Sequence, residues 1–150
     1  MPITPFHFGP GVFVKSVLCR HFSLPIFILA QVTTDMESAW NMIQQHQNIH
    51  TFFHTFLGAA VMALGLGGFC RLFFYFKKQT PPWRMLLVSS FIGTFSHVFL
   101  DAIMHRDVHP FAPLSGANPF LRICSLGVLH WGCLGFGLVG GCIWIWNKQR

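Results

Sequence analysis

Apolar residues run along this chain in long blocks, and the polar residues gather between the blocks or in stripes at one end of them. Thr55–Phe76 and Met85–Met104 are nearly unbroken apolar runs. Each has about the 20 residues that a helix needs to cross a bilayer. A third run covers 121–146. These three runs predict three membrane spans. Lys77-Lys78-Gln79-Thr80-Pro81-Pro82-Trp83-Arg84 is a short basic turn between the first two, so those two are antiparallel. Residues 106–120 predict a proline-stiffened loop ahead of the last span.

The first third of the chain has a different pattern. Residues 1–11 carry Pro2, Pro5, Pro10, Gly9 and Gly11 and predict a rigid, non-helical lead-in. Val12–Val32 is mostly apolar, but Lys15, Arg20, His21 and Pro25 interrupt it. Two half-helices, roughly 11–20 and 23–33, with a bend at Arg20-His21-Phe22 fit best, forming a hairpin that returns to the face it left. A single Pro-kinked span is the alternative. Thr34 with Glu37 three residues later has the pattern of a capping box. It predicts a short helix over about 36–47, with Met36, Ala39, Trp40 and Ile43 on one side and Asn41, Gln44, Gln45 and Gln47 on the other. Such a helix lies in the membrane interface with Trp40 as its anchor. The expected fold is therefore all-α: one domain, 1–150, a polytopic membrane bundle with three spans, an N-terminal hairpin or kinked span, and one interfacial helix.

Composition agrees. The chain is 53% hydrophobic and only 9% charged, against about 25% charged in soluble domains. The formal net charge of +6 is no nucleic-acid signal, because the basic residues sit at the ends of apolar runs without a recognition motif. They report topology instead. Lys77, Lys78, Arg84, Lys148 and Arg150 share one face, and Arg106 and Arg122 hold the other. The positive-inside rule puts the turn and the C-terminus in the cytoplasm. The five cysteines are scattered through apolar stretches with no CxxC pair, which argues for packing and against a disulfide framework. The start of the chain lacks a basic n-region and a clean cleavage site.

Candidate chemistry lies on the face opposite the basic turn. His97, Asp101 and His105 recur every fourth residue at the end of the second span, one stripe on a helix. His46, His50 and His54 step by four into the first span. An ionisable group at membrane depth needs a partner. His50, His54, His97, Asp101 and His105, with Asp35 and Glu37 near the start of the interfacial helix, form a pool of donors suited to Zn²⁺ or a similar divalent ion. His7 joins them if 12–33 is a hairpin. The pool is large enough for one or two ions, which would suit phosphoester hydrolysis by activated water. The bland alternative is a bonded His/Asp network that staples the bundle without metal.

Four stretches carry a family likeness: Thr4-Pro5-Phe6-His7-Phe8-Gly9-Pro10-Gly11, Asp35-Met36-Glu37, His50-Thr51-Phe52-Phe53-His54-Thr55-Phe56-Leu57-Gly58 and Ser96-His97-Val98-Phe99-Leu100-Asp101-Ala102-Ile103-Met104-His105. With Pro110-Phe111-Ala112-Pro113 and Asn118-Pro119, the chain resembles the bacterial inner-membrane metal-dependent hydrolases, whose usual family name comes from a LexA-regulated enterobacterial member. The resemblance implies a multi-span inner-membrane protein with a metal site at these positions. It also implies a faint likeness to zinc phospholipases C through the histidine and aspartate pattern.

The expected ligands are His50, His54, His97 and Asp101, with Asp35 and His7 completing or bridging the site. His105 is a ligand or orients one. Asp35 or Glu37 is a candidate general base, although Glu37 also reads as the capping partner of Thr34. Asp101 is the residue whose change to Asn should abolish turnover. Asp107 and His109 read as solvated loop residues, and His130 as a packed histidine bonded to a neighbour. The expected function is metal-assisted hydrolysis of a phosphoester or related bond in a lipid-linked substrate, with the bilayer as partner and the site on the outer face. A metal-binding membrane protein with a structural or transport role and no hydrolysis is the competing expectation.

Overall fold

The computed structural model describes residues 5–46 and 48–149. Met1–Thr4 of the expected lead-in, Gln47 of the expected interfacial helix, the counted charge Arg150 and the side chain of Lys148 lie outside the described residues. Among the described residues there is no strand. The five α-helices are α1 (Phe8–Leu18), α2 (Leu24–Ile43), α3 (Phe56–Phe76), α4 (Trp83–Met104) and α5 (Leu126–Lys148). Short 3-10 turns occur at Pro5–His7, Cys19–His21 and Phe52–His54. Three helices are long and apolar enough to cross a membrane: α3, α4 and α5, with mean hydropathies of 1.8, 1.6 and 1.6.

Helix α4 is the hub. It runs antiparallel to α3, where Thr94 Oγ1 donates to the Ala59 carbonyl at 3.0 Å near one end and Gly67 meets Leu87 towards the other. It runs parallel to α2, with Ser23 N–H donating to Ser89 Oγ at 2.7 Å, Phe27 and Ala30 on Gly93, and Gln31 beside Ser96 and His97. Ile26, Ala30, Leu66, Cys70 and Leu86 close the core between these three helices. In a lipid solvent burial of apolar area brings little, so such contacts hold by close packing and by hydrogen bonds between helices. Helix α5 packs on α1 alongside the hub, its start marked by Phe6 stacked on His130 at 4.5 Å and by Gly9 against Cys133.

The N-terminal third forms a hairpin, and the kinked single span is thereby corrected. Helix α1, at 11 residues, is roughly 16 Å long, half of what a bilayer core requires. The chain reverses at Cys19–Phe22, where Lys15 Nζ donates to the carbonyls of Cys19 at 2.6 Å and Phe22 at 2.8 Å. Gly11 then lies against Phe27 of the returning helix. His7 and Asp35, one on each arm, therefore end at the same level.

Other boundaries differ from expectation. The non-helical lead-in gives way at Phe8, because Pro10 falls in the first turn of α1, where its missing N–H costs nothing. The interfacial helix is not separate: α2 continues without a break from Leu24 to Ile43. The capping box does not form, since Thr34 is buried mid-helix and donates to the Ala30 carbonyl at 2.9 Å. The last turns of α2 still expose Met36, Trp40 and Ile43 in an apolar stripe. Residues 121–125 belong to the loop, and α5 begins only after Ser125, whose side chain accepts from Val128 N–H. The loop is pinned to the hub by Asn118 Nδ2 on the Ala102 carbonyl at 2.8 Å and by Arg122 N–H on the Ile103 carbonyl at 3.0 Å.

Candidate metal centre

Each helix end near the centre delivers one or two of the ligand candidates. His97 and Asp101 come from one stripe of α4, buried to 1% and 3% exposure. Asp35 comes from α2. His54 does not come from a helix: Phe52–His54 is a 3-10 turn just before α3. The four-residue step from His50 to His54 is thus not a helical stripe, a correction to the sequence expectation. The two rings still meet, with centroids 4.6 Å apart. The turn is held by Phe53 N–H donating to Glu37 Oε2 at 2.9 Å and by Phe56 N–H donating to the Pro110 carbonyl at 2.8 Å. It passes so close over α3 that a Cβ on Gly58 would lie 2.0 Å from the Phe52 carbonyl oxygen.

Asp101 is the focus. Its Oδ2 lies 3.3 Å from His97 Nε2, 3.5 Å from His54 Nε2 and 3.8 Å from His50 Nε2. Its Oδ1 lies 3.7 Å from His7 Nε2. Asp35 Oδ1 faces His97 Nε2 at 3.2 Å and His54 Nε2 at 4.0 Å. Asp35, His54, His97 and Asp101, all buried, offer ligand atoms within 4.8 Å of one another, and so do His50, Asp101 and His105. Ligand atoms about 2.0–2.1 Å from a tetrahedral ion lie roughly 3.3 Å apart. The spacing of the first set therefore fits a zinc-sized ion and is long for direct hydrogen bonds.

The far nitrogens of these imidazoles are also arranged. His97 Nδ1–H donates to Gln31 Oε1 at 2.7 Å, and the Gln31 amide donates in turn to the Gly93 carbonyl and Ser96 Oγ, both at 3.2 Å. His50 Nδ1–H donates to Asp107 Oδ2 at 2.8 Å. Glu37 Oε2 stands 3.6 Å from His54 Nδ1. A neutral imidazole that gives its Nδ1 proton away presents a bare lone pair at Nε2. Where the rings are neutral, those lone pairs face carboxylate oxygens, acceptor against acceptor, an arrangement that could hold a cation.

Both ring nitrogens of His7 and of His54, and Nε2 of His97, are buried with no hydrogen-bond partner among the described residues. Buried polar groups are seldom left so. Burial pushes the His7 imidazole down to about 4, so at neutral pH it is uncharged and its lone pair is available. His7 stands in neither of the two ligand sets, but edge-on to His97 at a centroid distance of 5.1 Å.

Seven candidates thus come together: His7, Asp35, His50, His54, His97, Asp101 and His105. Glu37 backs His54, accepts from Phe53 N–H of the turn, and forms no capping box with Thr34. Asp107, expected as a solvated loop residue, is instead bonded to His50. Partial burial opposes its charge, but the His50 contact outweighs this and holds its carboxyl below the usual carboxylate range. His109 is exposed, as expected of a loop residue, with Nδ1 2.7 Å from the Gly116 carbonyl. His46 and His21 are exposed away from the centre. Gln31 was not among the expected residues. Its signal in the sequence is an amide inside an apolar run, four residues before Asp35.

His50 and Asp107 also line an open groove of about 530 Å³ with Asn48, Thr51, Phe52, Thr55 and Leu57. A second, apolar trough of about 350 Å³ adjoins it through Leu57, Ala112 and Pro113.

No match was found among curated proteins, nor among solved structures. The family model described as YdjM inner membrane protein does match, over residues 16–150. That stretch holds all five helices apart from the first turns of α1 and every member of the centre except His7. The chain belongs to the YdjM inner membrane protein family.

Proposed function

We propose that this chain is a membrane-embedded metal-dependent hydrolase that cleaves a phosphoester or related bond of a lipid-linked substrate. The observation that carries the reading is the set of buried, unbonded imidazole nitrogens aimed at two carboxylates. A closed network of ion pairs would satisfy its members, whereas here both ring nitrogens of His7 and of His54 have no hydrogen-bond partner among the described residues. Three of the first ligand set, His54, His97 and Asp101, would hold the ion, most simply Zn²⁺, which when bound would supply an acidified water at its fourth position for attack on the ester. Gln31 holds the His97 ring at the angle this requires, and Glu37 stands behind His54 at 3.6 Å. Glu37 also accepts from Phe53 N–H, so it positions and does not act as base; Asp35 is the carboxylate left for that role. The groove supports a lipid-linked substrate: its polar end reaches His50 and Asp107, and its apolar continuation suits an acyl chain.

The orientation follows from charge. Arg71, which donates to the Pro81 carbonyl at 2.9 Å, and exposed Arg20 at the hairpin bend fall on the side of the basic turn. They add to the positive excess that supports a cytoplasmic position for that side and an outward-facing metal centre. A C-terminal reporter active only in the periplasm should therefore stay silent; activity would reverse the orientation.

The test of function is turnover of labelled lipid phosphoesters by Zn²⁺-loaded protein in liposomes. Chelator and Asp101→Asn should each lower the rate at least ~100-fold, the scale lost with a key electrostatic group. Turnover that survives both, or none with the loaded wild type on any lipid phosphoester, contradicts the reading.

A further inference from the structure

We propose that the centre binds two divalent ions, the second held by His50, Asp101 and His105, with the Asp101 carboxylate shared between them. This rests on the metal reading above and extends it. The two ligand sets are distinct apart from Asp101. Asp101 Oδ2 has Nε2 of His54 and His97, from the first set, and Nε2 of His50, from the second, all within 4 Å. A carboxylate is the usual bridge in two-ion sites, where the ions stand about 3.5–4 Å apart.

His50 is prepared for this. Asp107 accepts from its Nδ1–H, which in the neutral ring leaves Nε2 bare and turned towards Asp101. The His105 ring lies beside it, with centroids 4.6 Å apart and planes 32° from parallel. His105 is placed by the end of α4, where its N–H donates to the Asp101 carbonyl at 2.8 Å and the helix stops.

Charge points the same way. The chain has four acidic residues in all, and every one of them is at this centre: Asp35 and Asp101 inside it, Glu37 behind His54, Asp107 behind His50. With neutral imidazoles the cluster carries four negative charges. One divalent ion would leave two of these uncompensated at a membrane-embedded helix end, at considerable cost. Two ions balance them. The second set is also the one the groove reaches, since His50 lines both, whereas the first set is shut away behind it.

The experiment is a metal count on purified protein in detergent, loaded with Zn²⁺, desalted and analysed for metal per chain. Wild type should hold two ions and His105→Ala one, with unchanged helical content. His105→Gln, which keeps the volume and polarity of the site, serves if His105→Ala does not fold, and should likewise hold one. Co²⁺-loaded wild type should show a magnetically coupled pair, absent from the His105 variant. One ion in wild type, or two in both proteins, overturns the second site while the first stands. A folded wild type with no retained ion overturns the metal reading itself.

Discussion

At the scale of single residues, the centre was legible where a polar residue interrupts an apolar run. His97, Asp101 and His105 announce themselves by their four-residue spacing in a span, and Asp35 by its scarcity value in a chain with four acids. Gln31 and Asp107 were harder to read. Both act on the far side of an imidazole, and which ring nitrogen a neighbour occupies is decided only by packing. Gln31→Leu isolates this effect. The lost inter-helix bonds should change stability little, since such bonds in membrane proteins average about 0.6 kcal/mol. Zn²⁺ affinity should fall roughly 10- to 100-fold, because the His97 ring loses its orienting acceptor. Competition against a chromophoric chelator measures it; unchanged affinity would show that the amide serves only packing.

His7 gives a pH dependence whose sign can be worked out. Its imidazole titrates at about 4 in the fold against 6.5 in the reference state. Between those values the unfolded chain carries the extra proton, so stability falls as pH drops through this window and is fully present above about 6.5. Metal-free protein should melt at lower temperature at pH 5 than at pH 7.5, and His7→Phe should narrow the gap. An equal gap in both proteins would mean that other groups govern the acid loss.

At the scale of elements, the three spans and the hairpin follow from the length of the apolar runs and from the charges that break them. Arg20 and His21 are both exposed, and they sit at the reversal. The junction at residues 33–37 was misleading. Thr34 and Glu37 have the spacing of a cap, but Thr34 is enclosed and satisfied within α2, so tertiary packing carries the helix on. The α1–α5 contact also departs from the pattern in the sequence. Gly137 and Gly141 make a GxxxG, yet nothing lies within 4 Å of a Cβ on Gly141. The close approach uses Gly137, whose Cβ would come 3.3 Å from Gly9 Cα, and Gly140, whose Cβ would fall 2.5 Å from the Phe13 backbone. Gly140→Ala should therefore cost about 1–3 kcal/mol by overpacking and loosen the arm that carries His7. Gly141→Ala should be near neutral. Thermal melts of the two in detergent compare them directly, and equal losses would contradict this packing.

At the scale of the whole molecule, a hairpin that enters and returns, three spans and a pinned loop bring far-separated imidazoles and carboxylates to one end of α4. The cluster does not continue along α4 towards the basic turn, where Ser89, Ser90 and Thr94 are the buried polar residues. That distribution suits a reaction at one membrane face better than a path across it. The antiparallel spans and the hairpin already pointed to this convergence; the four-residue spacing misled on the route, because His50 and His54 reach the centre through an irregular turn and not a helical stripe.

The most direct test of that convergence is X-ray absorption at the zinc edge of the Zn²⁺-loaded protein. A nitrogen and oxygen shell at about 2.0–2.1 Å with the outer scattering of imidazole, and no sulfur, is the predicted result. A sulfur shell near 2.3 Å, or oxygen alone without imidazole, would mean that the ion is held elsewhere and that these side chains meet for another reason.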